Sequence, residues 1–210
     1  MTILITAGPT REPLDPVRYL TNRSSGKMGY AIADSAAAHQ HRVILISGPT
    51  EIEIPDGVDF IPVETAAEMY QTVEKYIKKA DIAIFAAAVA DYRPAAFQEQ
   101  KIKKHGDTLT LELVKNPDIL GSCRDKFHFT GTLVGFAAET ENVEANARGK
   151  LERKGCDLVI ANDVSRADIG FDSNENEILL IYKDRTEAVA KADKSHLAHI
   201  ILDKATELTS

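Results

Sequence analysis

Apolar residues in this chain gather in short runs, and between the runs they recur at helical spacing. Residues 2–6 predict a strand, 26–39 an alanine-rich helix, and 42–47 and 58–63 two further strands. Thr65 and Glu68 have the spacing of a capping box and open a helix that runs to about Lys79. Residues 82–87 are an apolar strand, and 108–113 (TLTLEL) alternate as a two-faced strand does. Asn116, Pro117 and Asp118 supply a cap residue, a proline suited to the first helical position and a first-turn acid, so a helix is expected to start there. Residues 132–137 predict a strand, 142–154 a helix, 158–161 a strand, 163–176 a polar loop and 177–183 a strand. In the last helix Leu197, Ile200, Ile201, Ala205 and Leu208 share one face.

Strands alternating with helices imply an α/β, Rossmann-like fold with a mostly parallel sheet covered on both faces. Segments 108–113 and 177–183 break the alternation. One of them, or the arm 88–115, is expected to project or to pair at an edge. Ligands in such folds sit beyond the carboxyl ends of the strands, and the unusual sequence falls there, in 7–25, 47–49, 88–104, 137–140 and 162–165.

The 210 residues fit one domain, 1–210, with a core large enough to need no staples. Apolar content of 44% and charged content of 27% are ordinary for a globular protein. A net charge of −7 argues against a nucleic-acid partner and makes local basic clusters informative. Cys123 and Cys156 share no metal or redox spacing and read as reduced packing residues. No apolar run approaches the ~18 residues of a membrane span, and the chain enters a strand directly, without a signal-peptide pattern. The expectation is a cytoplasmic protein with no membrane partner. The histidines at 39, 41, 105, 128, 196 and 199 have no metal-ligand spacing with acids or cysteines.

Residues 4–30 carry the first candidate chemistry: a strand, a long loop and a helix start, where unpaired amides favour anions. Gly8, Gly26 and Gly29 allow close backbone approach, Asn22, Ser24 and Ser25 supply polar groups, and Arg11, Arg18, Arg23 and Lys27 supply cations. A capped helix behind a solvated loop is the plainer reading, but a plain connection needs only about 2–6 residues. In AAAVAD (86–91), small side chains leave room for a flat ring and Asp91 either accepts from a base or ribose or caps a turn. The lysine run Lys101, Lys103 and Lys104 either reaches a phosphate chain from a mobile loop or is a solvated face. The helix start at VKNPDIL either holds an anion or is an ordinary cap. Phe136 stacks on a base or fills the core, and Lys150 and Lys154, four apart, reach one phosphate chain or lie on the surface.

Together, ITAGPTREPLDPVRYLTNRSSGKMG, AAAVADYRP, KIKK, VKNPDI, GFAAET and ANDV resemble, in order and over nearly the whole chain, the phosphopantothenate–cysteine ligase (phosphopantothenoylcysteine synthetase) family, in its bacterial CTP-dependent form. The resemblance implies that 4′-phosphopantothenate attacks the α-phosphate of CTP to give an acyl-cytidylate, which the amine of L-cysteine converts to an amide on the way to coenzyme A. It implies Asn22 and Lys101 as catalytic residues, Asn22 at the acyl-nucleotide and Lys101 on a flap (about 92–107) over the phosphates. It also implies that Asp91, Pro117, Asp118, Ile119, Leu120, Phe136, Lys150 and Lys154 contact the nucleotide, and that Gly8, Arg18, Ser24, Gly26 and Lys27 hold phosphate or acyl groups. Mg²⁺ is the implied cation, with no ligands assigned, and a homodimer with an arm exchanged over 88–115 is the implied assembly. In many bacteria the domain follows a flavin-dependent decarboxylase, so this chain is expected to be a stand-alone enzyme or an excised domain, with that decarboxylase as functional partner. The loop after KIKK (HGDT) is shorter than the family's pattern.

Two rivals share the fold. A nicotinamide-dependent short-chain reductase is opposed by Ser47-Gly48-Pro49, which lacks the ribose-binding acid, and by the absence of a tyrosine followed four residues later by lysine. A non-catalytic nucleotide-binding module is opposed by Asn22 and Lys101.

Overall fold

The computed structural model describes residues 1–104, 106–165 and 173–209. Its elements are β1 (Thr2–Ala7), β2 (Arg11–Pro13), β3 (Tyr19–Thr21), α1 (Lys27–Ala38), β4 (Arg42–Ser47), β5 (Val58–Pro62), α2 (Ala66–Tyr76), β6 (Ile82–Phe85), β7 (Tyr92–Pro94) and β8 (Leu113–Lys115). They continue as α3 (Ile119–Asp125), β9 (Thr132–Glu139), α4 (Val143–Lys154), β10 (Leu158–Asp163), β11 (Glu175–Ile181), β12 (Thr186–Asp193) and α5 (Lys194–Glu207). Eight strands form one sheet in the order β12-β11-β10-β9-β6-β1-β4-β5. From β10 to β5 neighbours run parallel, while β11 is antiparallel to β10 and β12 to β11.

Alternation along β1 shows why both faces must be covered. Ile3 and Ile5 pack with Ile32 and Ala33 of α1 and Leu197 and Ile201 of α5. Leu4 points the other way, into a cluster with Met69 and Val73 of α2, Cys123 of α3 and Leu151 of α4. α2 opens on the expected capping box, with Thr65 accepting from the Glu68 amide, and a 3-10 turn, Ile77–Lys79, extends it to the expected end.

Three expectations need correction. Residues 108–112 form no strand; only Leu113–Lys115 pairs, with Tyr92–Pro94, as a separate two-stranded sheet. Alternation predicts a strand only where a face can be buried, and Leu109 and Leu111 are exposed. The helix expected at Asn116 starts two residues later, because Asp118 is the N-cap and accepts from the Gly121 amide. Asn116 instead donates to the Ala90 carbonyl at 2.8 Å and accepts from Arg93 at 3.1 Å. The strand expected at 177–183 begins at Glu175, inside the segment expected to be loop; residues 166–172 of that segment, like His105, lie outside the described residues. β12 and the short β2, β3 and β7 were not expected. β12 (TEAVAKAD) is an edge strand with no buried residue in the eight, so it carries no apolar alternation to read.

Candidate functional site

The loop between β1 and α1 is fastened to the segment after β6. Pro9 bridges Ala88, the Ala90 amide donates to Thr10 Oγ1 at 3.0 Å, and Asn22 Nδ2 donates to the Val89 carbonyl at 3.0 Å. The buried Glu12 carboxylate accepts the Ala66 amide at 2.9 Å, pinning the loop to α2 as well. Asn22 is thereby held at the carboxyl rim of the sheet beside α1. Gly26, the N-cap of α1, has φ 80° and no side-chain cap. A Cβ there would lie 2.8 Å from Thr50 Cγ2, so the turn that presents the α1 amides requires glycine.

A cleft of about 470 Å³ opens in front of this turn. It is lined by Asn22, Ser24, Gly26, Lys27, Asp91, Phe136 and Lys150, seven of the residues singled out by sequence. Asp91 is also on the wall of an adjoining cleft of about 430 Å³, formed with Pro117, Asp118, Ile119 and Lys154. The two spaces make a continuous rim from the α1 N-terminus to the α3 N-terminus.

Their electrostatics are coupled through α4. Lys150 Nζ donates to the Phe136 carbonyl, and burial pulls its pKa below the ordinary lysine value. Lys154 pairs with Asp118. Burial alone would raise the Asp118 pKa, but the Lys154 contact and the Gly121 amide outweigh it and hold the carboxyl below its ordinary value.

The other expected residues lie elsewhere. Lys101 lines a separate groove of about 730 Å³ with Arg18, Lys103, Lys104 and Leu109. Arg18 is engaged by the buried Asp15 carboxylate at 2.6 Å and donates to the Ile102 carbonyl at 2.7 Å, so it anchors the lysine run. Gly8 is buried under the loop, where a Cβ would be 2.8 Å from the Gly48 carbonyl oxygen; its part is the turn. Leu120 is buried in the core, against Gly135. Asn162, Asn176 and Lys194 line the main cleft and were not singled out as site residues. Asn162 lies in the ANDV motif, Asn176 lies in the part of β11 expected to be loop, and Lys194 opens α5 directly after the unexpected β12.

Cys123 and Cys156 are buried and unbridged, and burial pushes both thiols up to about 12, which leaves them protonated and inert as nucleophiles. No helix among the described residues is long and apolar enough to cross a membrane.

The same architecture recurs in known proteins. The "Coenzyme A biosynthesis bifunctional protein CoaBC" of Vibrio parahaemolyticus is 50% identical over 212 residues, covering 99% of this chain and 52% of that protein. The protein of the same name from Escherichia coli K12 is 47% identical over 207 residues, 97% of this chain and 51% of its own. This chain thus spans about half the length of those relatives. A crystal structure of the C-terminal domain of a CoaBC protein superposes with TM-score 0.83 at 39% identity, covering 99% of this chain and 95% of that one. Residues 1–208 match the family model of the DNA/pantothenate metabolism flavoprotein C-terminal domain, and the chain belongs to that family.

Proposed function

We propose that this chain is a phosphopantothenate–cysteine ligase acting in coenzyme A biosynthesis. The observation that carries the reading is the convergence of Asn22, Lys27, Phe136 and Lys150 on one cleft at the α1 N-terminus. The names of the relatives, all coenzyme A biosynthesis proteins, support it.

The nucleotide is CTP. Phe136 stacks on the base, Asp91 accepts from base or ribose, and the Asp118–Lys154 pair borders the same rim. Lys27, Lys150 and the α1 amides face the phosphates. The carboxylate of 4′-phosphopantothenate attacks the α-phosphorus, forming the P–O bond of an acyl-cytidylate and expelling pyrophosphate. The cysteine amine then attacks the acyl carbon, the C–O bond to CMP breaks and the amide forms. Asn22 orients the mixed anhydride without adding charge. The flap brings Lys101 from its groove over the departing pyrophosphate.

Mg²⁺ is the expected companion of the nucleotide and would neutralise phosphate charge. Among the described residues no three His, Cys, Asp or Glu side chains gather into a metal cluster, and Asp91 is the one carboxylate on the cleft wall. That donor set fits a cation held chiefly by phosphate oxygens. A homodimer, a cytoplasmic location and a phosphopantothenoylcysteine decarboxylase partner complete the proposal; the relatives are named as bifunctional.

Pyrophosphate release is measured with CTP, 4′-phosphopantothenate and cysteine, with ATP in parallel. Release that requires the acid, and favours CTP, is expected; no release with either nucleotide removes the ligase reading. Asn22→Asp is expected to form the acyl-cytidylate while amide formation falls at least about a hundredfold. Normal turnover in that variant would refute the role of Asn22.

A further inference from the structure

β11 and β12 reverse the direction of the sheet, with Glu175 opposite Asp193 and Asn176 opposite Ala192. The start of β11 and the end of β12 therefore lie at the carboxyl rim, beside the end of β10. β11 brings Asn176, and the step from β12 into α5 brings Lys194, to the wall of the main cleft, 6% and 7% exposed respectively. The backbone there is tied to α1: the Asn174 carbonyl accepts the Lys194 amide at 2.9 Å, and Asn174 Oδ1 accepts from Lys27 Nζ at 2.8 Å. Lys27 in the first turn of α1 and Lys194 in the first turn of α5 thus converge on one cavity.

We propose that Lys194, with Asn176, is a phosphoryl-binding residue of this cleft, a further cationic anchor beside Lys27 and Lys150, placed where β12 runs into α5. The proposal rests on the ligase reading for the identity of its ligand. Two sources share the chemistry: the phosphate chain of the nucleotide and the terminal phosphate of the acid. Lysine suits either, as a compact charge that meets phosphate oxygens without demanding a planar fork. Asn176 Oδ1 accepts the Glu177 amide at 3.0 Å, which orients its side chain.

Calorimetric titration with inorganic tripolyphosphate, CTP with Mg²⁺, and 4′-phosphopantothenate tests the assignment, with turnover measured in parallel. Lys194→Met is expected to raise one or more dissociation constants by about tenfold to a hundredfold, the loss of a charged hydrogen bond. Lys194→Arg is expected to recover most of the affinity. Asn176→Asp keeps the acceptor for the Glu177 amide, adds a negative charge and is expected to weaken the same ligands, so a folding failure of Lys194→Met leaves the test intact. Weakening confined to CTP and tripolyphosphate assigns the nucleotide; weakening confined to 4′-phosphopantothenate assigns the acid; either supports the proposal. Unchanged constants for all three ligands in the folded variants overturn it, as does a wild-type protein that binds none. Wild-type protein that binds phosphate through Lys194 yet releases no pyrophosphate defeats the ligase reading alone. Full turnover with indifferent variants defeats the Lys194 assignment alone.

Discussion

At the scale of single residues, Lys150 is a cleft cation whose charge its surroundings tune. Burial lowers its pKa, so the folded chain releases this proton at a lower pH than the unfolded chain does. The sign follows. Between the lowered folded pKa and the ordinary value near 10.4 the unfolded state binds the extra proton, so this group's destabilising contribution is full at low pH and fades as pH rises through that window. A bound anion acts in the opposite sense, favouring the ammonium. Nucleotide affinity is therefore expected to fall as pH rises through the lowered pKa, earlier than an exposed lysine would require. Lys150→Arg keeps its charge throughout and is expected to move the alkaline limb of the CTP affinity profile up by at least about one pH unit. Dissociation constants measured by calorimetry from neutral pH to pH 10 decide it, and superimposable wild-type and variant profiles would remove Lys150 from the phosphate site.

At the scale of elements, the strands with apolar runs and the helices with periodic faces were legible because burial dictates both patterns. β1, β4, β6 and β10 are almost wholly buried, and α1 and α2 begin where glycine and a capping box say they must. The β11–β12 hairpin was legible only in part. β11 alternates buried and exposed residues over its first four positions, whereas β12 buries none, so no hydrophobic signal announced that Lys194 returns to the rim. Phe136 on a parallel strand is legible in the sequence, whereas Asn176 and Lys194, at the start of β11 and just past β12, are not. The flap teaches the same lesson from the other side. Its lysines were visible, but their anchor was not: Asp15 accepts the Ile102, Val17 and Arg18 amides and the Arg18 guanidinium. Burial would raise the Asp15 pKa, yet these donors prevail and hold it far below the ordinary range. The latch is thus present above the ordinary carboxylate range and is lost only as pH falls through that depressed value. Asp15→Asn removes the charge and turns a donor toward donors. Exchange of the Ile102 amide, followed by NMR, is expected to quicken at least about tenfold in this variant, with little change in β1 or β4. Equal protection in both proteins would mean that the flap is anchored elsewhere.

At the scale of the whole molecule, the exposed apolar surface is unevenly placed. Tyr92, Phe97, Leu109, Leu111 and Leu113 are five of the ten large hydrophobic side chains exposed among the described residues, and all lie in the arm that carries β7 and β8. A two-stranded sheet has little stability alone, and clustered apolar groups of this kind mark an association surface. A second copy of the chain is the proposed occupant. Leu109 also walls the Lys101 groove, so association would order the segment that carries Lys101, which the proposed mechanism brings toward the Asn22 cleft. The double variant Leu109→Glu, Leu111→Glu tests both steps, since neither residue lies in a strand or in the core. Sedimentation equilibrium is expected to show a dimer for the wild type and about a hundredfold or greater weakening for the variant, from charge placed where two leucines would be buried. Circular dichroism is expected to be unchanged. If the arm works through Lys101, turnover falls in kcat while calorimetric CTP affinity, assigned by the proposed function to the separate cleft, changes little. A wild-type monomer at micromolar concentration, or a dissociated variant with full kcat, would separate the arm from the chemistry.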